Sequence, residues 1–153
     1  MWSAARPAMH GTSSRNLAAT FNFGDLWYAK LTVPFMRRYA ERVGADFTEF
    51  KAFHNAGEYP PPASWFHIEA VRIFAAQDYY ENLLLLDADQ LVMPSCPNLF
   101  EGMNGSMRVV ADMGHPEVGP QFINWCQTHL GEQPQPGNYF NAGMFVIPLA
   151  VAR

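Results

Sequence analysis

Leu83-Leu84-Leu85-Leu86-Asp87-Ala88-Asp89 is the stretch on which the fold turns. Four consecutive apolar residues have no polar side, so they read as a strand buried on both faces, as in a parallel sheet with helices above and below. The run ends in two carboxylates, and in open α/β sheets the carboxyl ends of the strands are where ligands bind. Two aspartates separated by one residue can both reach a hard divalent cation. Mn2+ or Mg2+ held by only one or two carboxylates keeps positions free for phosphate oxygens, so the pair suits a nucleotide diphosphate. The competing reading is a solvated turn, because Asp after a strand often only accepts bonds from backbone amides. Gln90-Leu91-Val92-Met93 re-enters the fold as a second short apolar segment, which favours the metal-binding reading.

Upstream, Ile68, Val71, Phe74 and Ala75 keep helical spacing behind Ser64, a candidate cap, so a helix delivers the chain to Leu83. A Pro-rich loop over residues 55–62 precedes it, and Asp46-Phe47-Thr48-Glu49-Phe50 alternates in part, as a strand does. Asn16-Leu17-Ala18-Ala19-Thr20-Phe21 reads as the first strand, with Asn22-Phe23-Gly24-Asp25 as its closing turn and Asp25 placed to cap a helix. Pro34 lacks an N–H, which predicts a break near Thr32 and a second helix carrying Pro34 in its first turn. The apolar stripe of that helix is Met36, Tyr39, Ala40 and Val43, and Gly44 is its left-handed stop.

Downstream, Cys96-Pro97-Asn98-Leu99-Phe100 reads as a short helical turn and residues 107–111 as a strand ending at Asp112. Val118, Phe122, Trp125, Cys126 and Leu130 mark an amphipathic helix before a Pro- and Gly-rich loop over residues 131–137. Residues 139–147 form the last element, closed by Pro148. Repeated β-α-β units predict an α/β fold with a mainly parallel sheet and right-handed crossovers. The expected organisation is one domain over residues 17–153 behind a flexible N-terminal arm, residues 1–16.

Composition narrows the function classes. Of 153 residues, 49% are hydrophobic and 14% aromatic, enough for a sizeable core and against disorder. A net charge of −4 leaves no basic footprint for nucleic acid. No stretch approaches the roughly 20 apolar residues of a transmembrane segment, and the first sixteen positions lack the apolar run of a secretory signal. Arg6, Arg15 and Lys30 are scattered rather than clustered as a membrane anchor. Cys96 and Cys126 fit no zinc or redox spacing, and a pair alone neither demands nor excludes a disulfide; two free thiols in a reducing, cytoplasmic setting are the default expectation.

Tyr139-Phe140-Asn141-Ala142-Gly143-Met144-Phe145-Val146-Ile147 sets Asn and Gly, both disfavoured in strands, among strong strand formers. One reading is that a ligand approaches the backbone here, with the Asn141 amide offering a donor and an acceptor to hydroxyl groups. The other is a bulge, or a turn ahead of the strand.

Taken together, Asp87-Ala88-Asp89 and Tyr139-Phe140-Asn141-Ala142-Gly143 make the chain resemble glycosyltransferases of the GT-A fold, especially family 8, which includes glycogenin and bacterial galactosyltransferases. The resemblance takes in the helix ending near Tyr79-Tyr80, the strand closing at Leu86, and Pro97-Asn98-Leu99-Phe100. Thr20, Asn22 and Tyr28-Ala29-Lys30 resemble the family's first, uridine-binding loop, and the whole spans residues 17–149. It implies a Rossmann-type three-layer sandwich and retaining transfer from a UDP-sugar donor to a saccharide, lipid or protein acceptor.

By the same resemblance Asp87 and Asp89 hold Mn2+ (or Mg2+) on the donor diphosphate, with Asp89 the more direct ligand and Asp87 also near the ribose. Thr20, Phe21, Asn22 and Tyr28 line the nucleotide together with Ala88. Asn141, Ala142 and Gly143 lie against the transferred sugar, and Asp112 accepts hydrogen bonds from its hydroxyls, so that Asp112 and Asn141 are the catalytic candidates. The family carries a basic residue at or next to the position of Val71. Arg72 can supply that cation, or it can pair with Glu69 on the helix surface. His67 and His115 fall near the expected ligand edge, although histidines there are more often surface or core residues than ligands.

Family members continue beyond the Asn-Ala-Gly strand into a region that supplies a His as third metal ligand. Neither His115 nor His129 occupies that place, so relative to the family the sequence is C-terminally short and weak metal binding without nucleotide is expected. Two alternatives stay open: a nucleotide-sugar-binding module without turnover, and a nucleotidyltransferase. The absence of a Gly-rich, basic loop after the first strand speaks against the second. Exposed apolar surface on a short form would favour a homo-oligomer.

Overall fold

Leu83, Leu84, Leu85 and Leu86 run through the middle of a five-stranded sheet, each at most 1% exposed. The computed structural model describes residues 15–24, 26–51, 64–111, 124, 127–129, 131 and 140–153. In chain order the elements are β1 (Asn16–Phe21), α1 (Ala29–Val43), β2 (Asp46–Phe50), α2 (Ser64–Ala75), β3 (Asn82–Leu86), β4 (Arg108–Ala111), β5 (Phe140–Pro148) and α3 (Leu149–Ala152). The strand order is β2-β1-β3-β5-β4. β1 pairs parallel with β2 and β3, whereas β5 pairs antiparallel with both β3 and β4. Among the described strands β5 alone therefore runs against the rest, and the sheet is mostly parallel, as the apolar run predicts.

Strand alternation divides the core into two layers. Leu17, Ala19, Phe21, Leu83, Leu85, Phe145 and Ile147 pack with Ala70 and Phe74 of α2. On the other face Ala18, Leu84, Leu86 and Val146 pack with Met36, Tyr39 and Ala40 of α1. Burial of each leucine contributes about 1.5–3 kcal/mol, which is why a run without polar residues settles at the centre of the sheet.

Two helix expectations are corrected. Pro34 lies inside the single helix α1, with no break at Thr32. Pro34 cannot donate to the residue one turn earlier, Lys30, but both residues are exposed, where water can serve in place of that bond. Thr32 is not a cap: its hydroxyl reaches the Tyr28 carbonyl at 3.1 Å and also meets the Ala88 carbonyl. The expected stop holds, because Gly44 is left-handed (φ 68°, ψ 31°) and closes α1 with its N–H on the Glu41 carbonyl at 3.2 Å.

Ile68, placed in the apolar stripe of α2 by spacing, is 64% exposed. The face turned to the sheet is His67, Ala70, Val71 and Phe74, since the small Ala70 lets the helix approach closely. Cys96 to Phe100 makes turns rather than a helical segment, with Cys96 N–H on Met93 O (2.9 Å) and Glu101 N–H on Asn98 O (3.2 Å).

Of the helix expected after Val118, Asn124 and residues 127–129 are described and are helical. The Pro-rich loop, Asp25, Asp112 and His115 lie outside the described residues. Among the described residues no helix is long and apolar enough to cross a membrane.

Candidate active site

The sequence after Leu86 leaves the sheet in a turn, in which the Gln90 N–H bonds to the Asp87 carbonyl at 3.0 Å. Continued alternation carries Asp87 to the face of Leu83 and Leu85, toward α2, and Ala88 to the face of α1. Ala88 is buried against Ala29 and Val33. The Thr32 hydroxyl of α1 bonds to the Ala88 carbonyl, the peptide between the two carboxylates. Asp89 stands exposed beyond it.

β5 closes the other side. Leu86 is paired with Met144, and the Asp87 N–H extends this ladder by donating to the Gly143 carbonyl at 2.7 Å. On its β4 side the same strand slips: Val109 faces Phe145, but the next residue, Val110, faces Asn141. Ala142, Gly143 and Met144 thus bulge away from β4, while Gly143 and Met144 stay against the end of β3. Bulges of this kind re-aim a strand beside a site. The bulge reading of Asn141 and Gly143 holds on the β4 side, while the regular pairing with β3 brings Gly143 to Asp87. Gly143 is buried and Ala142 exposed.

α2 supplies a residue that the sequence reading set aside. His67 Nε2 lies 2.9 Å from Asp87 Oδ1, with the two side chains 17% and 39% exposed. The imidazole is packed edge-on to Phe21 (5.6 Å between centroids, 75°) and tilted against Phe145 (6.1 Å, 43°). Both halves of this contact have a signal in the sequence, His67 in the 67-70-71-74 helix face and Asp87 in the 83-85-87 strand face. Their meeting depends on how α2 docks, which spacing does not encode.

The residues expected to line a nucleotide fall around β1. Phe21 stacks with Phe23 (5.7 Å) and Phe50 (5.5 Å), while Phe23 and Phe66 come within 4.4 Å. Asn22 organises the loop after β1: its Nδ2 donates to Glu49 Oε1 at 2.7 Å, and its Oδ1 accepts from the Leu26 N–H at 3.1 Å. Thr20 is fully buried beside Leu86, and its hydroxyl meets no partner among the described residues. Tyr28 is half-buried, with Trp27 edge-on to it at 5.7 Å.

Arg72 is turned to solvent and bonds Glu69 through Nε (2.7 Å) and Nη2 (2.5 Å), the surface pairing that its spacing allowed. That bond holds the Glu69 carboxyl below its ordinary range. Arg72 is therefore not brought to Asp87. Asp112 lies outside the described residues, and of Asn141 only the backbone is described.

Among the described residues no group of three or more metal-ligating side chains forms. The donors that fit a cation are Asp87 and Asp89: hard carboxylate oxygens, one half-buried and one exposed. Two such ligands fit Mn2+ or Mg2+ that completes its shell with water and phosphate.

No protein-family profile matches the chain. Two curated relatives from Arabidopsis thaliana, galactinol synthase 3 and galactinol synthase 2, are each 32% identical over 81 residues, covering 44% of this chain. The aligned part is 24% of each relative, so the chain spans about a quarter of their length. Among solved structures, the crystal structure of a glycosyltransferase involved in the glycosylation of the major capsid of PBCV-1 matches with a TM-score of 0.54 at 16% identity. That match covers 87% of this chain and 59% of the viral protein. The chain has the GT-A glycosyltransferase fold, and in the part that aligns it is similar to galactinol synthases, in keeping with a family 8 resemblance.

Proposed function

We propose that the chain is a metal-dependent glycosyltransferase that binds a UDP-sugar at the carboxyl edge of β3 and transfers the sugar with retention. The observation that supports this is the 2.7 Å bond from the Asp87 N–H to the Gly143 carbonyl, which joins the acidic pair to the Asn-Ala-Gly segment. Asp87 and Asp89 hold Mn2+ or Mg2+. When bound, the cation neutralises the diphosphate and acts as a Lewis acid on the departing nucleotide.

The protein's own groups do the rest. The Phe21, Phe23 and Phe66 rings wall one side of the edge, and the bulged backbone at Ala142 and Gly143 presents no side chain larger than a methyl to the sugar. Asn141 and Asp112 bond its hydroxyls. Two carboxylates repel a diphosphate, so the nucleotide needs the cation.

Titration of UDP with and without Mn2+, on the wild type and on Asp89→Ala, tests the proposal. The expected result is a metal-dependent gain in affinity that the variant loses. An affinity that neither the metal nor the substitution alters would reject the site. Metal-dependent release of UDP from a UDP-sugar would establish turnover.

A further inference from the structure

The nucleotide-sugar reading leaves His67 without a task, yet its imidazole is the one side chain described as bonded to Asp87. We propose that His67 is a positioning residue: it holds Oδ1 of Asp87 so that the carboxylate keeps a single orientation, with Oδ2 turned to the cation. This rests on the proposed metal-bound diphosphate and adds a specific supporting residue from another element.

Three observations carry it. An ionised carboxylate only accepts hydrogen bonds, so at 2.9 Å the proton between the groups belongs to Nε2 of His67. Nδ1, on the other side of the ring, is buried with no hydrogen-bond partner among the described residues, so the contact to Asp87 is made through Nε2.

The ring is also held in place. Phe21 of β1 and Phe145 of β5 contact it from two strands of the sheet, at 5.6 and 6.1 Å between centroids. Finally, the Asp87 backbone is tied to Gly143, so main chain and one carboxylate oxygen are both immobilised before any ligand arrives. A ligating group whose second contact is locked by packing loses little freedom on binding, and partners of this kind typically contribute 10–100-fold in metal affinity.

The test is calorimetric titration of Mn2+ with UDP into the full chain as wild type, His67→Phe and His67→Gln. Phe keeps a ring among Phe21 and Phe145 but has no donor, whereas the Gln amide reaches about as far as Nε2 and restores one. The expected result is a loss of about 10-fold or more in metal-dependent UDP affinity for His67→Phe, with most of it recovered in His67→Gln. Equal binding by His67→Phe and the wild type would overturn the inference while leaving the nucleotide-sugar reading intact. A loss in His67→Gln with none in His67→Phe would overturn it by assigning the effect to ring packing, and equal losses in both variants would overturn it by showing that a donor at this position does not restore affinity.

Absence of metal-dependent UDP binding by the wild type would overturn the nucleotide-sugar reading and this inference together. Histidine 15N spectra of the wild type test the geometry without any substitution. A proton on Nε2 of His67 is expected, and an Nε2 without a proton would refute the proposal.

Discussion

The Asp87 amide and the Gly143 carbonyl meet at 2.7 Å, one residue past the pairing of Leu86 with Met144. Antiparallel pairing thereby continues beyond the end of β3, so the first carboxylate of the acidic pair rises from a hydrogen-bonded backbone rather than from a loose loop. Preorganisation of that kind reduces the ordering cost of binding.

Thr32→Val should loosen the peptide between the two aspartates. The hydroxyl that meets the buried Ala88 carbonyl is lost while side-chain size is kept. Leaving such a carbonyl unsatisfied costs about 1–3 kcal/mol. Urea denaturation should show that loss, with Thr32→Ser closer to the wild type, and metal-dependent UDP affinity should fall alongside it.

Phe74→Ala should be among the most damaging single changes. Phe74 is 1% exposed and joins α2 to the layer of Leu83, Leu85 and Ile147. Truncation of a buried Phe costs about 3–5 kcal/mol, part of it the cavity left behind. A midpoint shift in chemical denaturation would measure it, and a loss below 1 kcal/mol would contradict the packing described.

Gly44→Ala tests the end of α1 without steric interference. No atom lies within 4 Å of where a Cβ would stand, so the cost is that of the left-handed backbone, φ 68°. About 1 kcal/mol of destabilisation is expected, without effect on UDP affinity.

Stability should decline on the alkaline side, and Tyr80→Phe should weaken that decline. Burial and the hydrogen bond to Asp46 Oδ2 at 3.0 Å raise the Tyr80 phenol above its ordinary value of 10.0. The unfolded chain then releases its proton first and binds fewer protons than the folded one, so stability is fully present below pH 10 and falls as pH rises further. Tyr39 is raised as well, chiefly by burial, and leaves a residual slope in the variant. Denaturant melts between pH 9 and 12 would show the difference, about 9 and 12 being chosen to bracket the ordinary tyrosine range.

Much of the fold is written in local pattern. β1 and β2 occupy the predicted residues, β3 ends where the leucine run ends, and Gly44 stops α1. Pro34 misleads because its effect depends on which side of the helix it occupies, and Ile68 because helical spacing admits two neighbouring faces. At the site, the aspartates at a strand end were legible and the role of Asn-Ala-Gly was left between a ligand contact and a bulge.

The sequence by itself determined β1, β2, the strand at the centre and the acidic pair at its end, because periodicity and the avoidance of buried polar groups act over a few neighbouring residues. Tertiary structure alone decided that β5 enters antiparallel between β3 and β4, that its register with β3 sets Gly143 against Asp87, and that His67 rather than Arg72 faces the carboxylate. Those outcomes depend on register and on the docking of α2, which are fixed by hydrogen bonds and packing between segments far apart in the chain.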